Sequence, residues 1–349
     1  MTVSRSEARN SLHSMVLLAL SVYVTSSTSA TVVHPINVPA LVEASDLVVV
    51  GRVTSVQEQG SLTIDTPAGP ALARGFLAGL QTDQVLKGNI ESQNVYFEFL
   101  IPDVPSGYGT ATQGQYGIFL LQKASNSRFK PSDPLYPLLP AVPGGLLSSG
   151  SPIDQVARKL GEVLAYNGSR EFDISSALNA LVSIPADSAT QALRSALKTS
   201  SGDLQLDIAS KLVARNDISG LDVVAKALLH QANSHGYLHM KLAGSLAGLK
   251  DPRSIPTLKR LLQTNDPEIT RSVAIALRQT RSQEALGPLS ELLGNGEQQV
   301  RYYAVVGMGE ITQQDEWSPA FDEFQSHESK YLTYWRDWAQ ANLPAESRR

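Results

Sequence analysis

Ile255–Leu262 (IPTLKRLL), Glu268–Gln279 (EITRSVAIALRQ), Leu286–Leu293 (LGPLSELL) and Gln299–Glu310 (QVRYYAVVGMGE) decide the fold, because the second two segments repeat the first two 31 residues later. The shift carries Leu258, Leu261 and Leu262 onto Leu289, Leu292 and Leu293. It also carries Ile269, Val273 and Leu277 onto Val300, Ala304 and Met308. Apolar residues three and four apart share one face of a helix, so each segment reads as an amphipathic helix and each copy as a helix pair. The pairs are broken at Gln263–Pro267 and Gly294–Gln298. Self-similarity at a fixed period marks a solenoid, in which each unit buries its apolar face only against its neighbours.

Outward from this stretch, five second helices align on Leu204, Leu238, Ile269, Val300 and Tyr331. The position four on reads Ile208, Leu242, Val273, Ala304 and Trp335. Eight on reads Leu212, Leu246, Leu277, Met308 and Ala339. These are predicted core. Five on reads Ala209, Ala243, Ala274, Val305 and Arg336, small in all but the last, so neighbouring helices can approach closely. Arg336 and the aromatic run Trp317, Phe321, Phe324, Tyr331, Tyr334, Trp335 and Trp338 predict a terminal cap. Positions two and six on point away from that core. Leu206, Met240, Arg271, Ile275, Tyr302 and Val306 form a largely apolar stripe there, the candidate surface for a protein or peptide partner. The competing reading is that they finish the core or pack on the N-terminal domain.

The Asp251-Pro252 opening, the Asn265–Glu268 turn (NDPE) and Val300–Gly309 (VRYYAVVGMG) resemble the short HEAT-like repeats first named from phycobilisome lyases, over about Ser151–Leu343. The resemblance implies a right-handed stack of five or six helix pairs. It also implies a second function, a bilin-lyase- or isomerase-like enzyme holding a large ligand in the groove. Tetratricopeptide and ankyrin marks do not recur. The di-iron hydroxylases of the wider class use repeated His-Glu pairs, and this chain has one, His327-Glu328.

The N-terminal half reads differently. A short helix is predicted at Pro39–Ser45, then strands at Leu47–Val56, Leu62–Ile64, Ala71–Lys87 (broken near Gly79), Asn94–Ile101 and Gln115–Gln122. Gly51 inside the first suggests a bulge or sharp bend. Several strands in about 100 residues without a long helix fit a small barrel or sandwich. SDLVVVGRVTSV, QVLKG and GQYGIFLL resemble the OB-like barrels of tissue inhibitors of metalloproteinases and netrin modules, over about residues 38–123. That implies a third function, protease inhibition. The inhibitors use a disulfide-held N-terminal cysteine, however, and this chain has no cysteine. Prolines 131, 134, 137, 140 and 143 recur at the polyproline period and predict a stiff connector packed on the barrel or the first helix. The predicted organisation is therefore a signal peptide at 1–30, a β-barrel at 31–130, a connector at 131–152 and an α-solenoid at 153–349.

Arg5 and Arg9, the apolar Met15–Val24 and the small-residue exit at Ala30 predict a cleaved export signal, hence a periplasmic or extracellular protein with no integral membrane segment after cleavage. A net charge of −4 argues against a nucleic-acid partner. Absence of cysteine removes disulfides, thiol catalysis and thiolate metal sites. His230, His235 and His239 are the one cluster with metal-like spacing. The alignment places His235 opposite Asp266 and Glu297, and His239 opposite Thr270 and Arg301, as turn and ladder positions. No phosphate loop, nucleophile elbow or zinc-protease motif occurs. The sequence thus predicts a non-catalytic scaffold without cofactor or metal.

Overall fold

Five strands close on themselves in the order β1-β2-β3-β5-β4-β1. The computed structural model describes residues 35–66, 69–104, 108–124, 128–144, 149–230 and 236–344. Export signal 1–30 and His235 therefore lie outside the described residues. β1 (Leu47–Thr66) runs antiparallel to β2 (Gly69–Lys87), and β2 to β3 (Asn94–Pro102). β4 (Tyr116–Lys123) returns to β1 from Leu47↔Leu121 to Arg52↔Tyr116. β5 (Phe129–Pro131) closes the ring, antiparallel to β4 and parallel to β3 at Phe97↔Phe129. β6 (Leu138–Pro140) takes over the same edge of β4 at Gly117–Phe119.

The run Leu47–Val50 explains why the barrel does not stand alone. Leu47 and Val49 point inward with Phe97, Phe99, Phe119 and Leu121. Val48 and Val50 point outward, into a second core with Ile118, Leu120 and Leu139. Both faces are buried, so the run is continuously apolar rather than alternating. The covering elements are α1 (Val38–Ala44), α2 (Pro152–Ala165) and α3 (Glu171–Ser183). Lys87, of the QVLKG turn, donates to Val42 O at 2.7 Å and Glu43 O at 2.9 Å, holding the end of α1. Val38 N donates to Ser183 Oγ on α3 at 3.1 Å.

Three expectations change. β2 is unbroken at Gly79; the register shift lies opposite it, between Val53 and Ser55 of β1. Leu62–Ile64 belongs to β1, whose outer part pairs with β2 alone as a two-stranded ribbon. Within the predicted connector 131–152, Leu138–Pro140 pairs with β4 as β6 and Leu139 is buried, so this stretch is a strand of the barrel wall and not only a segment packed on it. Gly51 does mark a bend: the register shifts there, and a Cβ would sit 2.2 Å from Gln81 O.

Ser151 caps α2 and Pro152 opens it. The stack continues through α4 (Asp187–Thr199), α5 (Gly202–Ala214), α6 (Leu221–His230), α7 (Tyr237–Leu246), α8 (Ile255–Leu262), α9 (Pro267–Thr280), α10 (Leu286–Leu292), α11 (Gln298–Thr312) and α12 (Phe321–Asn342). Second helices α5, α7, α9 and α11 adjoin in that order, and α6 adjoins α8. Helices α6, α8 and α10 are each entered through a 3-10 turn, at Ile218–Gly220, Pro252–Ser254 and Gln283–Ala285. Asp217, Asp251 and Ser282 cap those turns. Carbonyls left open at second-helix ends accept side chains from neighbouring repeats. Arg215 reaches Val182 O and Ile184 O, Gln279 reaches Ala247 O and Gln283 reaches Ile311 O. His327 alone is non-helical inside α12, so that helix is the terminal pair joined almost end to end. One buried core runs from Val38 to Ala339.

Candidate partner-binding face

The register of the second helices settles which residues are left for a partner. Ile208, Leu242, Val273, Ala304 and Trp335 are buried, as are Leu212, Leu246, Leu277, Met308 and Ala339. Ala209, Ala243, Ala274 and Val305 are buried at the close approach, whereas Arg336 is exposed and donates to Leu293 O at 2.8 Å.

The six stripe residues separate into three kinds. Met240 is 51% exposed. Leu206 and Ile275 are half-buried on its flanks, on α5 and α9. Arg271 is half-buried and committed, donating to Glu297 at 3.0 Å and lying 3.4 Å from Glu268; the Glu297 bond raises its pKa above the ordinary guanidinium value. Of the remaining two, Val306 is corrected and Tyr302 is half-buried at the edge of the cap. Val306 is buried at 4% exposure, and Tyr302 packs against Phe321 at 5.0 Å and Phe324 at 5.5 Å. Phe321 and Phe324 lie in the first turns of α12, so at Tyr302 the stripe runs into the cap. The other cap aromatics pack as expected, with Trp317 stacked on Tyr334 at 3.6 Å and Trp335 donating to Trp317 O.

Tyr237, which the alignment did not select, is 79% exposed. It precedes Met240 by three residues and Gly244 by seven, so the three share a face of α7. A Cβ at Gly244 would meet nothing within 4 Å. The signal in the sequence is the Tyr-x-x-Met-x-x-x-Gly spacing, masked by an alignment that begins one residue later, at Leu238. The face is bordered by ion pairs: Lys241 with Asp207 at 2.5 Å toward α5, and the Glu268–Arg271–Glu297 group toward α11.

Of the three histidines, His235 lies outside the described residues, and the other two are held separately. His230 is exposed, with Nδ1 2.7 Å from Lys226 O, and His239 is 1% exposed. His239 Nε2 lies 3.0 Å from Asp266 Oδ2, outside hydrogen-bond alignment, and Asp266 caps α9 through Ile269 N. The equivalent joint between α11 and α12 holds Arg301 and Glu328 at 2.5 Å. His239 is therefore a ladder residue between repeats. Among the described residues no group of three or more His, Cys, Asp or Glu side chains could hold a metal ion. No described helix is long and apolar enough to cross a membrane.

This register of stacked helix pairs agrees with a family model: the model for HEAT repeats matches residues 221–309. The C-terminal part of the chain carries HEAT repeats. Among solved structures, the chain is similar to one described as the complex of CpcE and CpcF of phycocyanin lyase from Nostoc sp. PCC7120. That similarity has 20% identity and a TM-score of 0.34, and covers 51% of this chain and 70% of the other. A search of curated proteins returns no match.

Proposed function

We propose that this protein is an exported, non-catalytic scaffold that binds a protein or peptide partner on the second-helix face of its HEAT repeats, centred on α7. The observation that carries the reading is the exposed Tyr237, Met240 and Gly244 surface with its border of ion pairs. An apolar centre with a charged rim is the usual anatomy of a protein interface. Tyrosine and methionine supply contact area there, and a glycine lets a partner backbone approach. The basic n-region and apolar core of residues 1–30 support export. The ring order of the barrel supports its OB-like class.

The test is recovery of partners from the native compartment with wild type and the double variant Tyr237→Asp, Met240→Asp. Both side chains are exposed, so the variant keeps its fold. Partner recovery is expected to fall at least tenfold. Equal recovery with both proteins removes α7 as the contact. Fractionation of cells expressing the chain with and without residues 1–30 tests export, and unchanged distribution removes it.

A further inference from the structure

A cleft of about 730 Å³ lies where the β3–β4 loop, the β5–β6 segment and the start of α3 meet. Its size falls in the range of small-ligand sites. Four aromatic side chains line it: Tyr108, Tyr116, Tyr136 and Phe172. Hydroxyls come from Thr110, Thr112 and Ser176. The walls are fixed in advance. Gly109 N donates to Pro134 O at 2.9 Å, and a Cβ at Gly109 would stand 2.2 Å from Pro137 Cδ, so loop and segment touch directly. Arg52 lies over the Tyr116 ring at 5.3 Å and donates to Gly114 O at 2.8 Å.

The charges in this cleft cancel. Arg170 Nε and Nη2 bond both oxygens of Asp173, at 2.7 and 3.0 Å. Among the described residues no uncommitted cation lines the cleft to receive phosphate or sulfate, and no second carboxylate or histidine is there for hydrolysis or metal binding. Phe172 is 78% exposed and belongs to neither core, so its ring does no packing work for the fold. Hydroxyl groups donate and accept alike, which suits a ligand made of hydroxyls. Aromatic faces suit the apolar C–H face of a pyranose ring. A polyproline peptide needs grooves between aromatic rings for its own prolines, and here Pro137 and Pro140 already form part of the wall.

From these features we infer that the cleft between the barrel and α3 is a binding site for a neutral oligosaccharide, stacked on Phe172 and held by the hydroxyl-lined wall. The site is separate from the α7 face and stands or falls independently of it.

The experiment titrates the whole chain with cellotetraose and with chitotetraose by calorimetry, confirmed by saturation-transfer NMR. A proline-rich decapeptide serves as the control. Saturable binding of at least one tetrasaccharide is expected. Phe172→Ala should weaken it at least tenfold, Phe172→Tyr should keep it, and Leu72→Asp, at an exposed position on β2, should leave it unchanged. Circular dichroism of each variant confirms the fold. The inference is overturned by no binding of either sugar, by equal affinity in Phe172→Ala, or by saturable binding of the peptide alone.

Discussion

Gly51 shows how much one missing methyl group can decide. Its position 2.2 Å short of Gln81 O leaves no room for a Cβ against main-chain atoms, which cannot swing aside. Gly51→Ala is expected to lower stability by about 3 kcal/mol through overpacking, read as a lower urea midpoint. At the other end of the chain, Arg301 bonds Glu328 and also donates to Asn295 O and Gly296 O. That hydrogen bond from Arg301 holds the Glu328 carboxyl below its ordinary value of 4.5. A depressed carboxylate contributes stability fully present above the unfolded value and lost as pH falls through the folded one. Arg301→Ala should therefore cost about 2 kcal/mol at neutral pH. The gap between variant and wild type should narrow as pH drops below 4.5. A gap that is constant with pH would show that the pair is not the source. The bend at Gly51 was legible because a glycine within a β-branched run has few other uses. The packing of Tyr302 on Phe321 and Phe324 was not, because it depends on a different helix.

At the scale of elements, what could be read was what is local. Helix pairs announce themselves by a period within each segment, and Ser151, Asp251 and Asp266 place their starts. β5 and β6 are three residues each and exist only through their partners on β3 and β4, so no pattern within them could reveal a strand. The prolines around Leu138–Pro140 made the segment look like a connector packed on the barrel, and its pairing with β4 was not visible. Leu139 is buried between β4 and the helices. Leu139→Ala should cost about 3 kcal/mol as a core truncation, whereas at an unpacked position the same change stays within about 0.5 kcal/mol. Thermal unfolding of the single variant decides between them. The α7 face was half legible. Met240 came from the register, while Tyr237 lay one residue outside it.

For the molecule as a whole, the consequence of the shared core is that barrel and repeats are not two independent folding units. Val48, Val50, Ile118 and Leu139 leave the barrel to pack with α1, α2 and α3. A fragment beginning at residue 149 would present to water the faces of α2 and α3 that these residues cover. It is expected to bind a hydrophobic dye and to unfold at a lower denaturant midpoint than the whole chain. Equal midpoints would show that the interface contributes nothing. The sequence divided the chain where the period changes from two to 3.6. Periodicity records which face is buried and not what buries it, so it could not show that both patterns feed one core. The ribbon formed by the outer part of β1 carries a further consequence. Past Val53, β1 is hydrogen-bonded on the β2 side only, which leaves its other margin of amides and carbonyls bare from Thr54 to Asp65 among the described residues. Such a margin is a template for strand addition, and natural sheets guard theirs with charge. Here Glu58 and Asp65 stand on either side of Gly60–Ile64, two carboxylates placed to repel a second copy that offers the same margin.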